Sequence, residues 1–417
     1  MADMKLKKLF SLFFFLAILA GCERGEMGYS FTDNSKESDV VIFYAAAAND
    51  ISYLIGGNIK TVKSGSLPQE GSKKVLLLFP HMDSSNPSYL QNIKRDEYGA
   101  LKIDTLYTVE AGRSALEVEV MRAVLQSAYN NFPTSNFTLI LSSHGTGWLP
   151  KGYYNNPETG GGNIFYMKKS AEPSSYTFPQ YGPITKTFGI EQSLYGGTLE
   201  MEITDLASAI PMHLKCIVFD ACLLGGVEVA YELRNLCDKI CFSSAEVPGR
   251  GYNYDVLTSE LLADDGTPEG FSKAYFDLWS EHPDYGATST TVVCNGLHNL
   301  ATLCKELFEK YRTDIFELRK ENVQGFYRLN RHFFFDLEDI LVKAGIDASE
   351  KAALKDALDA CISYKEASPS FMLGSGGFRI NTFCGMSMYL PSSDIHTVRL
   401  DGFYKTLAWN KATELVK

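Results

Sequence analysis

The chain has 417 residues, of which 45% are hydrophobic and 12% aromatic, so it can bury a large core. Its formal net charge at neutral pH is −11, and such an acidic surface argues against nucleic acid as the main partner. The length suggests two or three folding units, although one enlarged α/β domain would also fit.

The first 21 residues are predicted to be a signal peptide that is not part of the fold. A lysine-containing start precedes a short apolar stretch, Leu9–Leu19, which is short for a membrane span. The stretch ends in Leu-Ala-Gly-Cys22, which resembles the lipobox at which bacterial lipoproteins are lipidated on cysteine and then cleaved. An ordinary signal peptide or membrane anchor is the alternative. We expect Cys22 to be lipidated and to hold an exported protein on a membrane of the cell envelope or the cell surface.

Residues 22–39 are predicted to be a flexible tether because they are polar, contain serine and carry few apolar side chains. The cysteines beyond Cys22 show no C-x-x-C pair and no zinc-type spacing with histidine, so a metal site has weak support. Several of these cysteines lie in or beside apolar stretches, where a buried free thiol is the usual structure.

The folded part is predicted to begin with buried strands. Asp39–Ala48 forms the first strand, and Lys73–Phe79 forms a second strand that is followed by a turn. Tyr107–Val109 is predicted to be a small strand. Apolar residues at helical spacing then predict a helix over residues 114–130, with Ser114 as its N-cap.

Two later apolar strands each end in a reactive side chain. The strand from Phe137 leads to His144, and the strand from Lys215 leads to Cys222. Continuous apolar character is typical of strands that are covered on both faces of a parallel α/β sheet, and ligands bind at the carboxyl ends of such strands. A histidine and a thiol at neighbouring strand ends are the smallest set of groups that can act as a cysteine nucleophile and its base.

Cys222 and His144 could also be structural residues without a catalytic role. Cys222 could be a buried structural thiol, and His144 could be an imidazole with satisfied hydrogen bonds in a core or loop. His81, which also follows a strand, is a rival for the role of base.

Pro150–Gly197 interrupts the pattern because it is rich in Gly, Tyr, Ser, Pro and Asn, and such a stretch in a compact domain usually has a function. A short helix, Asp205–Ile210, capped by Thr204, then leads to the Cys222 strand. Val227–Leu236 is predicted to be helical, and Ile240–Ser244 to be a strand. This alternation predicts an α/β sheet with right-handed crossovers.

The C-terminal part is predicted to be a mainly helical subdomain packed on the sheet, over residues 296–417, after a first domain over residues 40–295. Residues 299–344 and 348–364 are predicted to be mostly helical, residues 378–383 and 385–390 to be late strands, and Phe403–Val416 to be a final helix.

Five segments together resemble the clostripain-like family of cysteine peptidases, in the clan that includes caspases, legumains and gingipains. The resemblance implies a caspase-like, mostly parallel sheet flanked by helices, with a helical or mixed C-terminal subdomain. In chain order the segments are Ser-Ser-His144-Gly-Thr-Gly-Trp148, Phe-Asp220-Ala-Cys222-Leu-Leu-Gly, Ser244-Ala-Glu-Val-Pro-Gly-Arg-Gly-Tyr-Asn-Tyr254, Phe335-Asp-Leu-Glu-Asp339, and Cys384-Gly-Met-Ser-Met-Tyr-Leu-Pro391 with Leu407-Ala-Trp409.

The resemblance assigns roles to residues of the two strand ends. Cys222 is expected to be the nucleophile, because a thiolate attacks a carbonyl carbon well once its proton is removed or held. His144 is expected to be the general acid and also the base. The backbone N–H groups of Gly145 and Cys222 would form the oxyanion hole. A turn glycine is the alternative for Gly145.

The resemblance also implies a pocket for a basic P1 residue, the residue on the amino side of the cleaved bond. Asp220 matches the family's pocket carboxylate, which pairs well with a guanidinium or ammonium group. A structural aspartate at a strand end is the alternative. Where the family often carries a second acidic residue, this sequence has Arg250, a cation that would weaken or reverse the preference if it faced Asp220.

Family members are often cleaved between the histidine and cysteine strands to become active. Here 78 positions separate His144 from Cys222, and the loop over residues 151–198 offers Lys168, Lys169 and Lys186 as candidate processing sites. A surface insertion without a role is the alternative.

The leading hypothesis is a lipid-anchored cysteine endopeptidase that acts on peptides or proteins, with a membrane as its second partner. No cofactor is expected to be required, although calcium could bind an acidic loop such as Asp264-Asp265. A catalytically silent caspase-fold binding module is the main alternative, and an unrelated hydrolase that uses Cys222 is the third.

Overall fold

The computed structural model describes residues 38–133, 135–153, 188–192, 198–328, 333–392 and 395–417. These residues lie in one compact unit, Glu37–Lys417. The predicted signal peptide, nearly all of the predicted tether and the lipidation site Cys22 lie outside the described residues. Within the described ranges, no helix combines the length and apolar character needed to cross a bilayer.

A large sheet of nine strands dominates the described chain, and its strands lie in the order β12-β10-β9-β8-β5-β1-β2-β3-β4. The strands are β1 (Asp39–Ala46), β2 (Lys74–His81), β3 (Ser88–Arg95), β4 (Leu101–Val109), β5 (Asn136–Ser142), β6 (Phe188–Gln192), β7 (Thr198–Met201), β8 (Leu214–Asp220), β9 (Cys237–Phe242), β10 (Thr288–Val293), β11 (Phe335–Asp336), β12 (Ile362–Ala367), β13 (Ser370–Phe371), β14 (Phe378–Arg379) and β15 (Ser387–Met388).

The five central strands of the sheet are parallel, and the strands at both edges are antiparallel. Parallel pairing joins β2, β1, β5, β8 and β9 in that order. The hairpin β3–β4 extends one edge, while β10 and β12 extend the other. The predicted mostly parallel α/β fold is therefore confirmed.

Helices cover the sheet on both of its faces. They are α1 (Ser52–Ser64), α2 (Val118–Asn131), α3 (Ile203–Ala209), α4 (Val227–Leu233), α5 (Leu257–Leu261), α6 (Pro268–Ser280), α7 (Leu297–Glu317), α8 (Leu337–Lys343), α9 (Ala348–Cys361), α10 (Ile395–Tyr404) and α11 (Ala408–Thr413).

The two-sided cover explains why the central strands are apolar without interruption. Alternate residues of a strand point to opposite faces, so Ile42 belongs to the core cluster that includes residues of α2 and α4, while Phe43 belongs to the cluster that includes residues of α1 and α6. Both side chains are fully buried. The same alternation carries β5 and β8 through the middle of the core, and each strand ends in a buried polar residue, Ser142 in β5 and Asp220 in β8.

Several predicted helix boundaries are wrong. The helix predicted over residues 227–236 ends at Leu233, and the helix predicted over residues 348–364 ends at Cys361, directly before β12 begins. The helix predicted from Ser114 begins at Val118, with Glu117 at the N-cap position, because the Ser114 hydroxyl bonds the buried Glu191 instead. The helix predicted after Thr204 begins at Ile203 and contains that threonine.

The single C-terminal helix predicted from Phe403 is two helices, because the backbone becomes extended at Leu407. The small strand predicted at Tyr107 is the end of the longer strand β4, which pairs with the unpredicted strand β3.

Residues of the C-terminal part also join the main sheet. Strand β12 pairs antiparallel with β10, and its residues Ile362–Ala367 form one edge of the sheet. Helix α7 contributes Leu297, Leu300 and Cys304 to the larger core cluster, and it packs against the helices α9 and α11.

Candidate active site

The carboxyl edge of the sheet brings the two candidate catalytic residues to neighbouring positions. Strands β5 and β8 are adjacent and parallel, and Ser142 pairs with Asp220 where they end. His144 and Cys222 each follow two residues later, so both leave the sheet at the same edge. The side chain of His144 is 12% exposed, and that of Cys222 is partly buried.

The backbone after His144 contacts the backbone at Cys222 directly. A Cβ atom added to Gly145 would lie 2.6 Å from the carbonyl oxygen of Cys222 and 2.2 Å from a methyl carbon of Leu224. Real Cβ atoms do not approach other atoms so closely, so only glycine fits at this position. The absence of a side chain at Gly145 is therefore what lets the two segments meet.

A strained residue follows the candidate nucleophile. Leu223 has a φ of +62°, in the left-handed region that residues other than glycine rarely adopt. Its N–H donates to the carbonyl oxygen of Ala245 at 3.0 Å, which holds the turn against the end of β9. Strain of this kind is found where a surrounding structure aims a functional side chain.

The thiol of Cys222 lies against the backbone of Val247. The Val247 N–H donates to the sulfur at 3.3 Å, and the sulfur lies 3.7 Å from the carbonyl oxygen of the same residue. Burial and the nearby Glu246 carboxylate raise the pKa of Cys222 to about 12, although the Val247 N–H acts in the opposite direction. The resting sulfur is therefore a protonated thiol at neutral pH.

His144 has a carboxylate partner that the sequence analysis did not name. Its Nε2 lies 2.7 Å from Oδ1 of Asp50, and since a carboxylate can only accept, Nε2 carries the proton. The hydrogen bond to His144 lowers the pKa of Asp50, whose side chain is 70% exposed. Asp50 lies in the turn after β1, and nothing in the sequence of that turn indicates that it contacts a residue 94 positions later.

Strand β6 lies along the backbone of His144. The N–H of Gly189 donates to the carbonyl oxygen of His144 at 2.9 Å, and Phe188 pairs with Gly145. Asn49 holds the same strand, because its side-chain amide donates to the carbonyl oxygen of Ile190 at 3.0 Å. The end of the long loop between the two candidate catalytic strands is thus in contact with the histidine.

Asp220 is buried beside the candidate nucleophile and is already hydrogen-bonded. Its Oδ2 accepts from the hydroxyl groups of Ser142 at 2.9 Å and Tyr254 at 2.6 Å. Burial raises the pKa of Asp220, and these hydrogen bonds act against that rise. The side chain lies directly against Gly251, where an added Cβ would be 2.3 Å from Oδ1.

The segment that covers Asp220 is fixed by a tryptophan. Gly251 has a φ of +67°, and its carbonyl oxygen accepts from Nε1 of Trp279 at 2.8 Å. Arg250, the residue that departs from the family pattern, is exposed. The Asp220 carboxylate accepts from the hydroxyl groups of Ser142 and Tyr254 and from the backbone N–H of Tyr252.

His81, the rival base, is a buried structural residue. It ends β2, which is separated from β5 by β1. Its Nδ1 lies 2.8 Å from the hydroxyl of Ser88, and its Nε2 lies 3.2 Å from the hydroxyl of Ser84 and 3.4 Å from Glu191. The side chain is 1% exposed, so His81 anchors β6 through Glu191 and does not reach a substrate.

A buried ion pair beside Cys222 was also missed by the sequence analysis. Glu246 and Arg328 form a two-pronged pair, and both side chains are at most 4% exposed. The two residues are 82 positions apart, so no local pattern indicates that they meet.

The candidate processing sites Lys168, Lys169 and Lys186 lie outside the described residues.

The acidic loop proposed for calcium is partly neutralised, because Asp264 pairs with Lys74 at 2.7 Å. In the part of the chain that the structure describes, no three His, Cys, Asp or Glu side chains are grouped as metal ligands would be.

Comparison with known proteins gives the family. Residues 184–412, more than half of the chain, match the profile of the clostripain family, peptidase family C11. The matched region contains Cys222 and begins after His144. Clostripain of Hathewaya histolytica is 22% identical over 256 residues, which cover 56% of this chain and 44% of clostripain. The chain thus matches less than half the length of this curated relative.

Solved structures share the fold. An inactive zymogen of a C11 protease from Parabacteroides distasonis superimposes with a TM-score of 0.73 at 22% identity, over 91% of this chain and 99% of that chain. A secreted C11 cysteine protease from Bacteroides thetaiotaomicron, in complex with an irreversible peptide inhibitor, gives a TM-score of 0.72 at 19% identity, over 91% and 100%. With its α/β sheet and the profile match over more than half its length, the chain belongs to the clostripain family.

Proposed function

We propose that this protein is a cysteine endopeptidase in which Cys222 attacks the peptide carbonyl carbon and His144 transfers the protons. The observation that supports the proposal is that the two residues follow the ends of the adjacent parallel strands β5 and β8, two positions after the paired residues Ser142 and Asp220. Family membership supports it, because the profile match includes the segment around Cys222. It also favours an enzyme over the silent binding module.

The hydrogen bonds of His144 indicate how the proton moves. Nε2 donates to Asp50, which leaves Nδ1 as the nitrogen that can take the proton from the thiol. The Cys222 thiol loses its proton to His144 as the sulfur forms a bond to the carbonyl carbon. The same proton then passes to the leaving amine as the C–N bond breaks, and water hydrolyses the thioester that remains.

The N–H groups of Gly145 and Cys222 are proposed to bind the oxyanion of the tetrahedral intermediate. The close approach of these two backbone segments supports this role, because only glycine lets them meet. A donor in an oxyanion hole is worth about 2.7–4 kcal/mol of barrier lowering.

Basic P1 specificity is proposed to come from Asp220. Its carboxylate is buried at the base of the segment Pro248–Gly251, two residues before the nucleophile. A lysine or arginine side chain that reaches it would form a charge-assisted hydrogen bond in a site from which water is excluded. Arg250 is exposed, and we propose that it does not block this pocket.

Export and activation are proposed on different grounds. The lipobox-like sequence at Cys22 supports lipid anchoring, and a secreted relative in the same fold supports export. The Parabacteroides relative is an inactive zymogen. We propose that cleavage at Lys168, Lys169 or Lys186 activates this chain, because the loop that contains these lysines ends in β6, which contacts His144. Activity measured before and after chelation of calcium tests whether the protein depends on this ion.

The direct test is labelling with acyl-type thiol probes that end in lysine or arginine. The probe should modify one residue, Cys222, as identified by mass spectrometry, and fluorogenic peptides with the same P1 residues should be hydrolysed. Both measurements are made before and after limited cleavage of the loop. If neither form is labelled and neither hydrolyses any peptide, the binding module would replace the enzyme.

Asp220→Asn should change specificity more than turnover. The amide oxygen can still accept from Ser142 and Tyr254, but the charge that attracts a basic P1 residue is lost. We expect kcat/KM for lysine and arginine substrates to fall about 10- to 100-fold, in line with one charged hydrogen bond. A peptide with a neutral P1 residue is the control and should change less than about threefold. An equal loss on all substrates would make Asp220 a structural residue.

Asp50→Asn should lower kcat while leaving KM nearly unchanged. Because the hydrogen bond to His144 lowers the pKa of Asp50, its carboxylate stays ionised at neutral and mildly acidic pH and keeps Nε2 protonated. An asparagine allows the ring to turn or to change tautomer, and we expect a loss of up to about 100-fold from misorientation. Asp83→Asn, an exposed aspartate in the turn after β2, is the matched control and should retain full activity. A variant Asp50→Asn with unchanged kcat would remove Asp50 from the mechanism.

A further inference from the structure

The ion pair between Glu246 and Arg328 is unusual for its burial and for its place. Nε of Arg328 lies 3.1 Å from both carboxylate oxygens of Glu246, and Nη2 lies 2.7 Å from Oε2. The two side chains are 2% and 4% exposed. Burying two charges has a desolvation cost that can exceed the attraction between them, so stability alone does not explain this pair.

The pair is joined to Cys222 through one peptide unit. Glu246 directly precedes Val247, whose N–H is the donor to the Cys222 sulfur at 3.3 Å. The side chain of Glu246 is held by the fork of Arg328, so the arginine limits how the Glu246-Val247 peptide can turn. The direction of the N–H that points at the sulfur therefore depends on Arg328.

The pair also places two opposite charges near the Cys222 thiol, where both of them change its pKa. The charged and titratable groups near Cys222 are His144 at the end of the adjacent strand β5, Asp220 from β8, Tyr275 from α6, and the pair Glu246 and Arg328. Glu246 and Asp220 both raise the pKa of the thiol, and Arg328 lowers it. Arg328 carries its positive charge before the thiol ionises, whereas in the proposed mechanism His144 gains a charge only by taking the thiol proton.

Arg328 belongs to a part of the chain far from the strands that carry the dyad. Its Nη1 donates to the carbonyl oxygen of Ser375 at 2.9 Å. Beside it, Ala245, Phe326, Phe371 and Met372 form a separate small apolar cluster. The arginine thus connects the end of β9 with two segments of the C-terminal third of the protein.

We infer that Arg328 is a positioning residue of the active site, which through Glu246 aims the Val247 N–H at the Cys222 sulfur and offsets the negative charge of Glu246 as the thiolate forms. The inference rests on the proposed role of Cys222 as the nucleophile. It assigns to the C-terminal part of the chain a role in the chemistry of a residue that lies in the central sheet.

The test is the rate at which iodoacetamide alkylates Cys222, followed by mass spectrometry in the full-length protein. Only the thiolate reacts, so the rate at a fixed alkaline pH reports how easily the thiol loses its proton. Glu246→Gln keeps an acceptor for Arg328 but removes the negative charge, and it should raise the rate about three- to tenfold. Arg328→Met leaves Glu246 without its partner and should lower the rate by a similar factor.

The double variant Glu246→Gln/Arg328→Met removes both charges together. Its alkylation rate should lie between the rates of the two single variants, because the two charge effects cancel while the hold of Arg328 on the Glu246-Val247 peptide is lost. Asp336→Asn is the matched control: it neutralises another buried carboxylate, one that accepts from the N–H groups of Cys384 and Asp339, and should leave the rate unchanged.

The opposite signs separate this role from a purely structural one. If Glu246→Gln fails to speed alkylation, or if both single variants change the rate in the same direction, the inference is wrong. Should Arg328→Met not fold, the near-isosteric Glu246→Gln and the double variant still decide. Alkylation does not require peptide hydrolysis, so a protein that lacks peptidase activity but shows the opposite shifts would contradict the proposed function and not this inference.

Discussion

Cys222→Ala should abolish hydrolysis of lysine and arginine peptides, with a loss in kcat/KM of about 10⁴-fold or more. The proposed mechanism passes through a thioester, and no other described cysteine sits at the carboxyl edge of the sheet beside His144. His144→Ala should lose activity by a similar factor, and the double variant should be no worse than either single one, because the two residues act as a unit. Steady-state kinetics with fluorogenic peptides would measure all three variants.

Cys304→Ala is the matched control for the loss of a buried sulfur. Cys304 is fully buried in α7 within the larger core cluster, so its replacement should lower stability slightly but leave kcat/KM within about twofold. More than a tenth of the original activity in Cys222→Ala would show that another group is the nucleophile. The hydrolase would then have to be explained without the meeting of β5 and β8.

Gly145→Ala should remove activity by about 10³-fold and also lower the melting temperature. The added Cβ would be 2.6 Å from the Cys222 carbonyl oxygen and 2.2 Å from Leu224, so the two backbone segments must move apart. That movement displaces the proposed oxyanion donors from each other, and the loss of a donor costs about 10²–10³ in kcat. Thermal unfolding and kcat measured on the same sample would separate the two effects.

Gly57→Ala is the control for the cost of the substitution itself. Gly57 lies within helix α1, where an added Cβ meets nothing within 4 Å. Alanine is favoured over glycine in a helix by about 1 kcal/mol, so this variant should be as stable as the original protein or more so. If Gly145→Ala keeps full activity, the His144 and Cys222 segments do not need the close contact, and the proposed oxyanion hole would be wrong.

In the free protein the Cys222 thiol is not yet ionised, and we expect substrate binding to complete the arrangement of Cys222 and His144. The pKa of Cys222 is raised to about 12, so at neutral pH the free protein holds a thiol, hydrogen-bonded to Val247. His144 is bonded to Asp50 at the same time. A probe that places an electrophile and a basic group in the cleft should therefore react with Cys222 much faster than a small alkylating reagent does.

The central fold could be predicted because its pattern is local. Continuous apolar runs at β1, β2, β5 and β8 are enough to predict strands covered on both faces, and the order of strands and helices predicts the parallel sheet. Helix starts were less predictable. Ser114 has the right chemistry for an N-cap, but in the structure its hydroxyl bonds Glu191, a residue 77 positions away.

The sequence alone also could not separate His81 from His144 by their surroundings. Each follows an apolar strand, and the sequence favoured His144 only because its neighbours match a family motif. The structure separates them physically: His81 is enclosed by Ser84, Ser88 and Glu191, while His144 stands at the rim beside Asp50.

The amino-acid sequence alone determined the family, the α/β sheet and the candidate pair His144 and Cys222, because short motifs and strand periodicity are written in consecutive residues. Only the tertiary structure decided which groups surround that pair. Asp50 meets His144 across 94 positions, and Arg328 meets Glu246 across 82, through the register of the sheet and the packing of the C-terminal segments against it. Hydrogen bonds and charges act through space, so the partners of a catalytic residue depend on the fold and not on their distance along the chain.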